Sequence, residues 1–406
     1  PFPRQAPWCA RARRVRSPCR MAPAAPSDAD ATLAIPQDEP SSVLAAARSA
    51  KDAAEKSGDQ KAKAIACIKV ADALSLTGAA SEAMAQATEA VELCEEVRFD
   101  IGRGAALAVL ARICATHGAG EDDAELGFDS AQDALRLFRK MGLQRGEAVA
   151  LWSTSLVEVA FGTPQRAVQC AKEAMLKFRE LGDGVGEAIA CLALADGYLR
   201  AGQPQRAVQA VDRSTAIQAS LGNRRKEAAC LHSRASIELE RGDQSGAIAT
   251  LGRARATLKD LRDHHGEAAV LGTAQQAHLA AGSVTEALRA AQEKVTVYHQ
   301  AGDRKAEGRA LLGVASLLLQ AGDTARAGKV SEIALGILSE TQDRDAVVEA
   351  MEMLGAVKHA QVKSQMHSAI EASADFMHVP KHLIIDPGLS LRLQDSYKEA
   401  ARKGLI

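Results

Sequence analysis

A forty-residue self-similarity constrains this chain more than any other feature. The stretch Gly182 to Leu221, GDGVGEAIACLALADGYLRAGQPQRAVQAVDRSTAIQASL, returns along most of the 406 residues. Shifted by that period, Gly182-Asp183 falls on Gly142-Leu143, Gly222-Asn223, Arg262-Asp263, Gly302-Asp303 and Gln342-Asp343, while Gly202 falls on Gly162, Gly242, Gly282 and Gly322. A fixed period of this size predicts stacked helical hairpins. Within the unit, Ala188, Cys191, Ala195 and Leu199 follow the i, i+3/i+4 spacing of one helix face, which predicts a first helix over Glu187–Ala201. Gly202 stops it. Pro204 then sits in the first turn of a second helix, where its missing N–H costs little, and Ala207, Val211 and Ser214 carry that helix's apolar side to Leu221. Helices of about fifteen residues cannot bury their faces alone, so the repeats must stack.

The predicted fold class is therefore all-α, a right-handed solenoid of helix-turn-helix repeats. A helix at 41–57 forms a half-repeat cap. Repeats follow at 58–97, 98–141, 142–181, 182–221, 222–261, 262–301 and 302–341, and a helical stretch within 342–377, lacking the hairpin glycine, closes the stack. Repeat two is four residues longer, and the surplus is expected in the turn from His117 to Asp123. Residues 1–40 hold eight of the 12 prolines and read as a disordered leader. Its first twenty residues carry six arginines and no acid. Such a leader fits an organelle transit peptide, with Met21 as the other candidate start. Without it, the expected location is the cytoplasm. The tail, 378–406, breaks the pattern with Pro380 and Pro387-Gly388. It ends in a short amphipathic helix from Leu389 to Lys403, expected to dock on the last repeat or to lie in the groove.

Composition limits the function classes. Charged residues make up 25% and sum to a net charge of -1, so nothing draws the chain generally to nucleic acid or an anionic membrane. No run of eighteen apolar residues predicts a membrane span. The eight cysteines include no C-x-x-C pair. Cys67 and Cys191 share a repeat column, and they read with Cys94, Cys114, Cys170 and Cys230 as buried, inert thiols of a reducing compartment, the alternative being a metal or redox site.

Leu194, Ala195, Tyr198, Gly202 and Ala207, with the repeat-closing Leu181-Gly182-Asp183 and Glu187-Ala188, resemble the tetratricopeptide repeat. The forty-residue variety is the one found in kinesin light chains, receptor-G-protein regulators and bacterial regulators of the maltose type. The resemblance covers roughly residues 41–375. Its aromatic column is thin, since Leu74, Cys114, Glu158, Glu238, His278 and Leu318 stand where one repeat has Tyr198.

Comparison of the repeats separates packing columns from variable ones. Cys67, Leu107, Leu151, Cys191, Leu231, Leu271 and Leu311 are all apolar, and Ala71, Ala111, Ser155, Ala195, Ala235 and Ala315 are small, with Gln275 as the exception. One residue further on, chemistry changes from repeat to repeat: Ile68, Ala108, Trp152, Leu192, His232, Gly272, Leu312, then Asp72, Arg112, Leu156, Asp196, Ser236, Gln276, Ser316. The resemblance implies that these first-helix columns line a concave groove. The candidate partner-binding residues are then Arg112, Trp152, Leu156, Leu192, Asp196, Arg200, His232, Ser236, Glu240 and Gln276. Trp152 is the principal anchor, the alternative being a core tryptophan between repeats. For Asp196, Arg200, His232 and Glu240 the competing reading is a solvated helix face. Relatives of this type use groove asparagines to hold a peptide backbone; here the single asparagine, Asn223, lies at a repeat junction.

The candidates for catalytic and cofactor motifs are weak. Gly182-x-Gly184-x-Gly186 follows no strand. Gly328-Lys329 has Val330 where a P-loop needs Ser or Thr. His264-His265-Gly266-Glu267 lacks metalloprotease spacing, and Pro380 separates His378 from His382. The basic clusters Arg224-Arg225-Lys226 and Arg304-Lys305 interleave with Glu227, Asp303 and Glu307. The expected protein is a non-enzymatic scaffold without cofactor or metal, holding a peptide or helix of another protein. The alternatives are a regulatory or sensor arm of a larger enzyme or signalling protein, and an RNA-binding solenoid.

Overall fold

The computed structural model describes residues 33, 40–118, 120–341 and 344–376. Most of the expected leader, and the whole tail with its short helix and the His378/His382 pair, lie outside the described residues. Among those described there are helices and turns and no strand. The chain divides into two compact units, Pro1–Gly182 and Asp183–Ile406. The first contains α1 (Pro40–Ser57), α2 (Gln60–Thr77), α3 (Ala80–Glu96), α4 (Asp100–His117), α5 (Glu121–Met141), α6 (Gln144–Ala160) and α7 (Pro164–Glu180). The second contains α8 (Gly184–Arg200), α9 (Pro204–Ser220), α10 (Arg224–Glu240), α11 (Gln244–Asp260), α12 (His264–Ala280), α13 (Val284–Ala301), α14 (Arg304–Gln320), α15 (Thr324–Glu340) and α16 (Arg344–Phe376).

Two residues punctuate the junction before α8. Gly182 takes φ +69°, the left-handed conformation a Cβ disfavours, and its N–H closes back on the Arg179 carbonyl at 3.0 Å. Asp183 then caps the next helix by accepting the Gly186 N–H at 3.0 Å. Helix α8 consequently begins at Gly184, three residues before the periodicity places it. Asp59, Asp243, Asp263, Asp303 and Asp323 cap their helices in the same way. Where the period puts arginine in place of the junction glycine, the backbone keeps the same shape: Arg98 has φ 52° and Arg262 φ 55°.

The longer second repeat corrects an expectation. Its surplus does not form a long turn. Helix α4 has 18 residues and α5 has 21, against 17 for α6 and α7 in the next repeat. Glu121, Asp122 and Asp123 occupy the first turn of α5, where acidic side chains oppose the positive end of the helix dipole. An insertion near one helical turn also leaves the buried face of Gly127, Ala131, Ala134 and Phe138 in register with its successor.

Each helix packs on the next in its unit, and first helices also touch first helices: α2 on α4, α4 on α6, α10 on α12 and α14 on α16. Alanine makes this spacing possible. Ala83, Ala87 and Ala90 on α3, and Ala167, Ala171 and Ala174 on α7, have no exposed surface. The largest buried fillers of the first unit are Phe138 and Phe178. A Cβ on Gly104 would stand 2.7 Å from the Phe138 ring, so that glycine is the counterpart the ring requires.

Candidate interaction face on the first helices

The two kinds of column separate in the structure. Cys67, Leu107, Leu151, Cys191, Leu231 and Leu271 are buried, as are Ala71, Ala111, Ser155, Ala195, Ala235 and Ala315, whereas Leu311 and Gln275 are half-buried. None of the ten candidate partner-binding residues is buried: Asp196, Arg200, Glu240 and Gln276 are exposed, and Arg112, Trp152, Leu156, Leu192, His232 and Ser236 are half-buried. The variable columns are not uniformly open, however. Ile68, Ala108 and Leu312 are covered, which corrects the expectation that the whole column faces outward.

In the first unit the candidates engage one another. The Arg112 guanidinium on α4 pairs with the Asp72 carboxylate on α2, and its carbon lies 4.6 Å from the centre of the Trp152 ring on α6. It also donates to the Ser153 hydroxyl and the Ala108 carbonyl, both at 3.4 Å. Trp152 is half-buried, with this cation over one ring face. Leu156 lies one turn further along α6.

In the second unit none of the candidates forms an ion pair among the described residues. Asp196 on α8 retains water contact, yet protein walls surround it; this desolvation, and secondarily the Glu240 carboxylate on α10, push its carboxyl up to about 6. Burial holds the His232 imidazole below its ordinary value, and its Nε2 is 2.6 Å from the Thr273 hydroxyl on α12. Ser236 donates to the His232 carbonyl at 3.3 Å. Leu192 and Arg200 share α8 with Asp196. Gln276 stands on α12 at an open cleft of about 350 Å³ between α12, α13 and α14.

The departures from the aromatic column turn out to be structural. Glu158 and Glu238 are buried carboxylates. Glu158 accepts the Thr163 N–H at 3.0 Å ahead of α7 and pairs with Arg166 at 3.1 Å. Glu238 accepts from the Thr250 hydroxyl at 2.8 Å and pairs with Arg234 at 2.9 Å. Each ties the second helix of a repeat to its first. The Glu158 carboxylate occupies the space beside Gly162, which alone among the aligned hairpin glycines named above lies outside the left-handed region.

The remaining motifs have structural settings. Gly182 and Gly184 belong to a helix junction, and Gly328-Lys329 lies inside α15. No disulfide joins the described cysteines, and all but Cys170 are buried. Burial pushes the Cys94 thiol up to about 12 and those of Cys114 and Cys170 up to about 11. Among the described residues no group of three His, Cys, Asp or Glu side chains could hold a metal ion. The junction cations are matched by acids: Arg224 with Asp260 at 3.2 Å, Arg225 with Asp263 at 2.7 Å, and Arg304 with Glu307 at 3.0 Å. No described helix is long and apolar enough to cross a membrane.

No protein-family model and no curated protein sequence matches the chain. Among solved structures it is similar to a signal-transduction ATPase with numerous domains, carrying a tetratricopeptide repeat sensor, from Pyrococcus horikoshii. The identity is 15% and the TM-score 0.51, over 73% of this chain and 44% of that one, so the chain spans less than half of that protein's length. It is also similar to a Rap protein complexed with competence and sporulation factor, at 10% identity and TM-score 0.46, over 81% of this chain and 99% of that one. The nearly identical repeats of a chain from Podosopora anserina, assigned as a kinesin light chain, match at 19% identity and TM-score 0.40, over 48% of this chain and 96% of that one. The fold is a tetratricopeptide-type α-solenoid.

Proposed function

We propose that the chain is a non-catalytic interaction scaffold whose first helices hold a peptide or helical segment of another protein. The observation that carries this reading is the contrast between columns. Those that pack the repeats keep their chemistry except at Gln275 and are buried except at Gln275 and Leu311, whereas the neighbouring ones change chemistry and leave Trp152, Asp196, Arg200, His232, Glu240 and Gln276 within reach of solvent. A helix face with unrepeated chemistry suits a partner that is itself unrepeated. The pairing of junction cations with acids argues against RNA as that partner, and the lack of a disulfide among the described cysteines favours a reducing compartment. A second reading, the sensor arm of a larger signalling protein, draws support from the similarity to the sensor-bearing ATPase.

The test is capture of partners by the full chain and by a Trp152→Ala/Asp196→Ala/His232→Ala variant of equal helicity and melting temperature, with the captured segment mapped by cross-linking. A segment cross-linked to the first helices of the parent and lost in the variant is the expected outcome. Equal capture by both proteins removes the first helices as the site.

A further inference from the structure

The cleft between α12, α13 and α14 exists because this repeat lacks a side chain that others carry. Position 272 belongs to the variable column that holds Trp152, Leu192, His232 and Leu312 elsewhere, and here it is glycine. Gly313 leaves a matching gap on α14. Into the space between these first helices comes Lys294 from the second helix α13: a methyl group on Gly272 would stand 3.4 Å from its ammonium nitrogen. Arg309 on α14 adds a second positive charge, and Thr273 and Gln276 add a hydroxyl and an amide. No acidic residue lines the cleft. The surrounding cations have carboxylate partners, as Arg255 has in Glu267 and Glu293, but Lys294 pairs with no acid among the described residues. A half-buried ammonium without a counter-charge, beside a second cation in an open recess, is electrostatically incomplete.

We propose that this recess receives one oxyanion of a partner peptide, the carboxylate of an acidic side chain or a phosphoryl group, held between Lys294 and Arg309 with Thr273 and Gln276 as hydrogen-bonding walls. Its volume falls within the range of ligand pockets, at the small end, which suits a side chain rather than a separate cofactor. The proposal rests on the peptide-holding role of the first helices and names the charge they select. Thr273 is already fixed by His232, so the recess is joined to the preceding repeat's candidate residues.

The full chain is immobilised and offered three end-blocked nonapeptide pools, identical except that the central residue is Glu, phosphoserine or Gln. The parent should retain the Glu or the phosphoserine pool about tenfold over the Gln pool, the discrimination expected of one charge-assisted contact, and whichever anion prevails identifies the source. Lys294→Gln and Gly272→Leu should each abolish that preference. The second variant restores the bulk present at Leu192 and Leu312 in a residue type helices favour, so its melting temperature should hold or rise. Equal retention of the three pools by the parent overturns the recess and leaves the peptide-holding role standing. A preference that survives in both variants overturns this location. No retention of any pool overturns both readings.

Discussion

The first-helix layers of the two units solve the same packing problem and leave opposite electrostatic results. In the first unit Asp72, Arg112 and Trp152, on three successive first helices, satisfy one another, so charge and aromatic ring are committed within the fold. In the second unit Asp196 lies near Glu240, a like charge, and Lys294 forms no ion pair among the described residues. A repeat architecture can thus either close its variable face from inside or leave charges that an incoming chain would complete. The difference depends on which residue types the period brings side by side.

The largest test of that contrast removes one cation from each unit. Arg112→Met leaves Asp72 half-buried without its partner and uncovers Trp152, so it should cost about 2 kcal/mol in denaturant unfolding. Trp152 emission, read in a Trp8→Phe background, should shift with it. Lys294→Met, which breaks no pair, should change stability by less than about 0.5 kcal/mol. Equal costs would erase the distinction between the layers.

A smaller effect tests whether the units share their backbone code. Arg98 and Arg262 hold the left-handed slot that Gly58, Gly142, Gly182, Gly222 and Gly302 occupy at other junctions. Arg98→Gly and Arg262→Gly should each stabilise the protein by about 0.5–1 kcal/mol, one in each unit. Destabilisation by either would mean that the arginine side chain contributes more than its backbone costs.

The smallest effect belongs to pH. The folded Asp196 carboxyl is raised from 3.8 to about 6, so the folded chain binds that proton more tightly than the unfolded chain. Its contribution to stability is complete below the ordinary aspartate range and is lost as pH rises through about 6. Solvent contact limits the size to a few tenths of a kcal/mol. Asp196→Asn should flatten that slope in melting curves between pH 4 and pH 7, about the window set by the shift. An unchanged slope would remove Asp196 from the account.

Most of the fold is legible because its determinants are local. Glycine at the junction, aspartate after it and alanine at helical spacing each act within a few residues, and repetition multiplies the signal. The insertion near residue 120 was not legible as helix. Both a turn and an added helical turn accommodate extra residues, and the acids Glu121–Asp123 favour the latter through the dipole. Nor did the column comparison distinguish Glu158 and Glu238 from defects in an aromatic position. Their partners, Thr163 and Thr250, stand on or before the second helix, outside a column drawn along the first. For the candidate face, exposure followed from the columns only in part, since Ile68, Ala108 and Leu312 are covered, and its pairings did not. Opposite charges at Asp72 and Arg112, one period apart, were a readable sign of contact. The approach of Lys294 to Gly272 depends on the distance between helices and has no equivalent in spacing alone.

The punctuation at Gly182 and Asp183 has a consequence for descent. The carbonyl contacted by the Gly182 N–H belongs to residue 179, and the N–H satisfied by Asp183 belongs to residue 186, so each helix end is finished by its own neighbours. A stretch of coding sequence copied from one such junction to the next would carry complete helix ends with it. Lengthening by duplication would leave no new backbone group unsatisfied, and the copies could then diverge first where packing does not restrain them, on the variable face of the first helices.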